Sequence, residues 1–160
     1  MREARGRDTD GATVDELDKR IIEHLQEDGR QAYTRIASDL SMSEAGVRAR
    51  INRLKAAGIL QIVGVTDPLR VGFRQMAMIG IRCEAKKLMD VASTLAGMPE
   101  VDYVVVTAGT FDILVETVAE DNEGLLAFLA DRLRTIDGVR ETETFVYLRL
   151  LKQTYQWGTR

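Results

Sequence analysis

The sequence predicts an α+β chain in two parts, a helical part over residues 13–60 and a sheet-forming part over residues 75–151. Three observations carry this reading. Apolar residues recur at helical spacing in three consecutive segments before Gly58. From Gln75 the order changes to strand, helix, strand, strand, helix, strand. The chain of 160 residues is 45% hydrophobic and 29% charged, a globular composition with room for two small domains. Three helices with a short turn between the last two are the elements of a helix-turn-helix. The six later elements match the split βαβ, ferredoxin-like order βαββαβ, one antiparallel sheet with both helices on one face.

Residues 1–12, MREARGRDTDGA, mix both charge signs with small residues and have no apolar period, so they read as a flexible arm. The first helix takes Thr13 or Asp15 as its cap, with Glu16 completing a capping box from Thr13. Leu17, Ile21, Ile22 and Leu25 form its buried stripe, and Gly29 ends it. A short helix follows over Thr34 to Leu40, with Thr34 as cap and Ile36, Ala37 and Leu40 inward. Ser41 and Met42 then turn the chain. A glycine commonly stands where this chain has Ser41, and serine is tolerable there if the backbone is not left-handed.

The third helix, Ser43 to Gly58, hides Val47, Ile51, Leu54 and Gly58, spaced four, three and four. At about 100° per residue, Ala45, Ala49, Asn52, Arg53 and Ala56 fall on the far side with Arg48 beside them. Arg48, Arg50, Arg53 and Lys55 stand against one acid, Glu44. DNA phosphate matches such a helix, and so does plain solvation; its place as the last of three helices favours DNA. Ile59 to Thr66, ILQIVGVT, reads as a short strand serving as a wing or linker and stopped by Asp67 and Pro68, and residues 61–74 connect the two parts.

Net charge is only −3. Residues 1–64 hold eleven bases and eleven acids, and the remainder eleven bases and fourteen acids, so positive charge is concentrated in one helix. Cys83 is the only cysteine, which excludes an internal disulfide and a thiolate metal cage, and it reads as an apolar filler at a strand end. His24, the only histidine, has no partner for a metal site or catalytic triad. With no apolar run near 18 residues and no signal-peptide core at the start, a cytoplasmic protein without a membrane partner is expected.

In the second part, Met76 to Ile81 is apolar without alternation, the pattern of a strand central in its sheet. Lys86 to Ala96 is helical through Leu88, Val91, Ala92 and Leu95. Val101 to Thr107 and Asp112 to Val118 form a hairpin around the turn AGTF. Asn122 to Ile136 is a second helix with Leu125, Leu126, Leu129 and Leu133 inside, and Val139 to Leu151 a long last strand. An apolar sheet face left bare wants a second copy, so a homodimer is expected. Its two recognition helices would read a pseudo-palindromic double-stranded site. At the turn, Gly109 lets backbone amides approach a carboxylate and Asp112 can receive an ammonium group; a hairpin needs such residues in any case. Residues 152–160 form a polar tail whose Tyr155 and Trp157 either dock on a neighbour or stay partly ordered.

Several ordered pieces, LDKRIIEHLQEDGR, IASDL, SEAGVRARINRLKAAGIL and GVTDPLRVG, resemble the DNA-binding half of the Lrp/AsnC family, the leucine-responsive and asparagine-responsive bacterial and archaeal regulators. The resemblance runs from Val14 to the chain's end. It implies that the Gly-x-(Tyr/Phe)-Asp turn, here Gly109, Thr110, Phe111 and Asp112, lines an effector pocket between dimers. The closing pattern Gly138, Val139, Thr142 and Thr144 supplies hydroxyls that can complete it, although alternating threonines are ordinary β-formers. Dimers assembling to tetramers or octamers are likewise implied. The expected function is a sequence-specific regulator, with no cofactor beyond a small effector such as an amino acid. A nucleoid-organising protein of low specificity is the alternative. Arg48, Asn52 and Arg53, with Glu44 and Ala45, are the candidates for base edges and groove walls, Thr34, Arg50 and Lys55 for phosphate, and the cap Ser43 belongs to the same DNA-binding set. Some haem-pathway decarboxylases resemble the family in fold, but their chemistry would lean on histidines that this chain lacks, so no enzyme is expected.

Overall fold

The computed structural model describes residues 13–154, 158 and 159, so the expected arm over residues 1–12 and the tail residues Tyr155 and Trp157 lie outside the described residues. The described chain divides into two compact units, one over residues 66–151 and one over residues 13–65 together with the described residues of the tail.

The helical unit holds α1 (Glu16–Glu27), α2 (Tyr33–Asp39) and α3 (Glu44–Ala56). Its core is Ile21, Leu25, Ile36, Ala37, Leu40, Val47 and Ile51, one apolar stripe from each helix. Leu17 and Ile22 are only half-buried, so the α1 stripe is narrower than expected. The α1 capping box also differs. Asp15 accepts from the Asp18 amide at 2.8 Å and Asp18 accepts from the Asp15 amide at 3.1 Å, while Thr13 lies outside the helix and Glu16 is its first residue. Thr34 is not a cap either. Helix α2 starts one residue earlier, at Tyr33, and its cap position, Ala32, makes no side-chain bond.

The turn into α3 rests on Ser41, whose φ of 53° is left-handed. The condition for tolerating serine here, a backbone that is not left-handed, is not met, and the position is one where serine is strained and glycine is not. Ser43 caps α3 by accepting from the Gly46 amide at 3.1 Å. At the far end Gly58 takes φ 71°. Its amide reaches the Lys55 carbonyl at 3.1 Å and that of Ile59 reaches Leu54 at 3.0 Å, a Schellman ending. Gly58 is therefore the exposed stop of the helix and not part of its seam.

The expected strand over Ile59 to Thr66 is absent. Leu60 bonds back to Leu54 and half-buries against the helical core. No strand among the described residues pairs with the rest, so no wing forms. The segment closes at Asp67, which caps the short turn Pro68–Arg70.

The second unit is a four-stranded antiparallel sheet of β1 (Gln75–Cys83), β2 (Val101–Val106), β3 (Ile113–Ala119) and β4 (Val139–Val146), in the order β2-β3-β1-β4. As expected, β1 lies inside the sheet. Helices α4 (Leu88–Ala96) and α5 (Asn122–Ala127) pack on one face, where Ile79, Ile81, Ile113 and Val115 meet Val91, Ala92, Leu95, Phe128 and Leu133. Cys83 is buried at the end of β1, as its filler role requires.

Two expectations in this unit need correction. The second helix continues from α5 as a π-helical turn, Phe128–Leu133. Leu125, Phe128 and Leu133 are buried along this helix, while Leu126, about 100° round from Leu125, falls at the rim and is 58% exposed. Strand β4 ends at Val146. Beyond it the Tyr147 amide still reaches the Met76 carbonyl at 2.8 Å, but Leu148 is 97% exposed and residues 147–151 form no strand.

Candidate functional site

The sequence places two candidate sites, one in each unit. On α3, Val47, Ile51 and Leu54 are fully buried, which turns the opposite arc outward. Ala45, Arg48, Ala49 and Asn52 are exposed there and, with Glu44, line a shallow concavity. Small alanines on this arc let the helix approach a surface closely. Arg48 is already oriented: its Nη2 donates to Glu44 Oε1 at 2.6 Å, and its guanidinium carbon lies 5.3 Å from the centre of the Tyr33 ring on α2. Lys55 and Thr34 are exposed beside this arc, whereas the Ser43 hydroxyl is engaged in the helix cap.

Arg50 and Arg53 are placed differently. Arg50 Nη1 donates to Asp15 Oδ2 at 2.6 Å and to Asp18 Oδ1 at 2.9 Å, and Arg53 Nη2 donates to Asp18 Oδ2. Asp18 has no solvent exposure. Burial pushes its carboxyl pKa up, but hydrogen bonds from Arg53, the Asp15 amide and Arg50 outweigh that and hold it below the ordinary aspartate value. The Arg50 bond lowers Asp15 in the same way. Two of the cations predicted to meet DNA thus already hold acids of the helical unit, although Arg53 keeps 43% of its side chain exposed. A sequence signal was present, two acids three apart on α1 facing two arginines three apart on α3, but only the fold shows that they meet.

In the second unit the turn Gly109, Thr110, Phe111 and Asp112 stands at the β2–β3 hairpin. Gly109 and Thr110 are exposed. The Phe111 ring lies over Gly80 of β1, so closely that a Cβ at Gly80 would stand 2.6 Å from ring carbons. Phe111 meets Phe145 edge to face at 6.2 Å between ring centres. The Arg82 guanidinium lies 5.7 Å from the Phe111 ring centre. Its Nε donates to the Thr110 carbonyl at 3.0 Å and its Nη1 to Glu141 at 2.9 Å. Asp112 accepts from the Cys83 amide at 2.9 Å, where the β1–β4 register slips. Its carboxylate therefore already serves the end of β1.

Thr142 and Thr144 do not join this group. They pair with Ile81 and Ile79 and so share the helix-covered face, where Thr142 accepts from Arg134 Nε at 3.2 Å, while Phe111 lies on the open face. In their place the structure brings Gly80, Arg82 and Phe145 to the turn. Gly80 carried the one available signal, a glycine inside an apolar strand, which marks close approach of another group. No helix among the described residues is long and apolar enough to cross a membrane.

Comparison with known proteins matches both units. Residues 14–55 fit the AsnC-type helix-turn-helix domain and residues 76–157 the Lrp/AsnC ligand binding domain. An HTH-type transcriptional regulator of Pyrococcus abyssi is 35% identical, over 91% of this chain and 90% of its own. The HTH-type transcriptional regulator FL11 of Pyrococcus furiosus is 34% identical, over 88% of this chain and 93% of its own. Among solved structures, AsnC of E. coli aligns with a TM-score of 0.77 at 26% identity, covering 89% of this chain and 97% of that one. A transcriptional regulator of Neisseria meningitidis in complex with L-methionine aligns with a TM-score of 0.77 at 25% identity, covering 89% and 95%. With a helix-turn-helix whose last helix bares Arg48 and Asn52, and a βαββαβ sheet behind a Gly-Thr-Phe-Asp turn, the chain belongs to the Lrp/AsnC family of transcriptional regulators.

Proposed function

We propose that the protein is a sequence-specific DNA-binding regulator whose DNA affinity or assembly state responds to an amino acid. The observation that carries the reading is the exposed arc of α3, with Arg48 held in place by Glu44 and Tyr33. Arg48 and Asn52 read base edges, Glu44 and Ala45 border them, and Lys55 and Thr34 meet phosphate. A second copy packs on the open sheet face, where Tyr103 and Phe145 are about half-exposed, and the pair of recognition helices reads a pseudo-palindrome. The Gly109–Asp112 turn offers exposed backbone with Asp112 and Arg82 beside it, both charge signs that a free amino acid carries. The methionine complex of the Neisseria regulator supports this class of ligand.

A gel-shift titration at fixed salt against a duplex recovered by in vitro selection tests the DNA half. Arg48→Ala lowers specific affinity by more than about 1 kcal/mol. Unchanged binding would remove Arg48 from the interface, and a specific-to-nonspecific ratio well below about 10³ would favour a nucleoid-organising role. For the ligand half, sedimentation is measured with each of the common amino acids. At least one shifts the distribution between dimer and higher assemblies, and a flat panel would count against an amino-acid effector.

A further inference from the structure

We infer that Asp18 is a positioning residue for DNA recognition: its buried carboxylate holds Arg50 and Arg53 against α1, fixing the rotation of α3 and keeping both guanidiniums away from the phosphates. This rests on the DNA-binding reading above and specifies which cations of α3 take part in it.

Both Asp18 oxygens are occupied, Oδ1 by Arg50 at 2.9 Å and Oδ2 by Arg53 and by the Asp15 amide at 3.1 Å. Asp15 takes the other bond of Arg50 at 2.6 Å. The N-cap acid of α1 and an acid of its first turn therefore neutralise two bases on the second half of α3, and the bonds span more than thirty residues of chain. Arg50 and Arg53 are three apart on α3, so a carboxylate gripping both fixes the rotation of that helix about its own axis, which a single bond would not. That rotation decides which residues face outward, and it is the one that bares Ala45, Arg48, Ala49 and Asn52.

The same argument says why DNA does not recruit these arginines. Phosphate would meet them at an exposed, salt-screened surface, whereas leaving would strand a carboxylate with no solvent exposure. Of the four bases on α3, Arg48 pairs with the partly exposed Glu44 and lies against the Tyr33 ring, and Lys55 makes no ion pair among the described residues. These two are the cations left for DNA.

The test is the slope of log affinity against log salt, measured on the full chain with a selected duplex and a scrambled one. Wild type gives the reference slope, and Lys55→Gln lowers it by about 0.9 for each phosphate that is no longer neutralised. Arg53→Gln leaves the slope unchanged while weakening the selected duplex more than the scrambled one. Asp18→Asn releases two guanidiniums, so binding to the scrambled duplex strengthens, the slope steepens and the ratio between the duplexes falls about tenfold or more. An Arg53→Gln slope reduced as much as that of Lys55→Gln would overturn the inference, because Arg53 would then touch phosphate. Asp18→Asn weakening both duplexes alike, with the slope unchanged, would overturn it by showing a merely structural role. If Asp18→Asn does not fold, the Arg53→Gln slope alone decides. Wild type binding neither duplex would overturn the DNA reading itself, and this inference with it.

Discussion

The two units solve the same packing problem with different means. The sheet unit buries a continuous apolar layer, Ile79, Ile81, Ile113 and Val115 against Val91, Leu95, Phe128 and Leu133, and its ion pairs lie at the exposed rim. The helical unit buries fewer apolar side chains and also encloses a charge, Asp18. Small domains bury a smaller fraction of their surface and have less apolar area to hold elements in one orientation. A buried carboxylate with two guanidiniums adds little net stability, but it penalises every arrangement that leaves it unpaired. The sheet unit is thus held by apolar area and the helical unit also by charge pairing.

That comparison can be broken from either side. The largest expected effect comes from replacing Arg50 and Arg53 together by Met, which leaves Asp18 buried without a cation. The helical unit loses about 3 kcal/mol, toward the low end for broken buried pairs because both arginines are partly open to water. Hydrogen exchange reads it, with faster exchange in α1 and α3 and unchanged protection in β1 and β3. Equal loss in both units would erase the distinction.

Acid should show the same asymmetry. The folded Asp18 and Asp15 carboxyls lie below the ordinary aspartate value near 3.8, so their contribution is fully present above that pH and is lost as pH falls through the lower folded values. Stepwise acidification followed by near-neutral refolding controls should open the helices at a higher pH in an Asp18→Asn variant than in wild type. Identical midpoints would deny the carboxylate its role.

On the sheet side, Gly80→Ala pushes a methyl group into the Phe111 ring and costs about 1–3 kcal/mol, with the ring and its turn displaced. Thermal unfolding followed by near-ultraviolet circular dichroism reports it, and a melt indistinguishable from wild type would show that Phe111 moves away freely. The smallest effect is a gain. Ser41→Gly relieves a left-handed residue and raises helical-unit stability by about 1 kcal/mol or less, since glycine also gains freedom in the unfolded chain. A denaturant midpoint that falls would contradict the strain at Ser41.

Much of this architecture was legible from periodicity. The seam Val47, Ile51 and Leu54, the internal position of β1 and the order of the six sheet elements are local patterns, and the fold keeps them. What escaped depends on partners or phase. Ile59 to Thr66 has strand composition, but a strand exists only where another pairs with it. Leu126 is apolar like its neighbours, yet it lies about 100° round the helix from Leu125, at the rim of the buried arc. Thr142 and Thr144 are near the Gly-Thr-Phe-Asp turn in pattern and across the sheet from Phe111 in space, because β-strand alternation separates faces. On α3, charge count alone could not separate Arg50 and Arg53, which grip Asp18, from Arg48 and Lys55, which do not. That division needed a partner more than thirty residues away.

The strand order β2-β3-β1-β4 also sets a timetable. Strand β1 needs β4 as a neighbour, and their partners, from Cys83 with Val139 to Ala77 with Val146, lie more than fifty residues apart in sequence. The helical contacts, α2 with α3 and α1 with α3, join segments far closer along the chain. Because loop closure precedes the reward of distant pairing, the helical unit can organise while the remainder is still being synthesised. The sheet must wait for its fourth strand, β4, to leave the ribosome. Until then the apolar edge of β1 stands open, and that interval is when this chain most needs protection from aggregation.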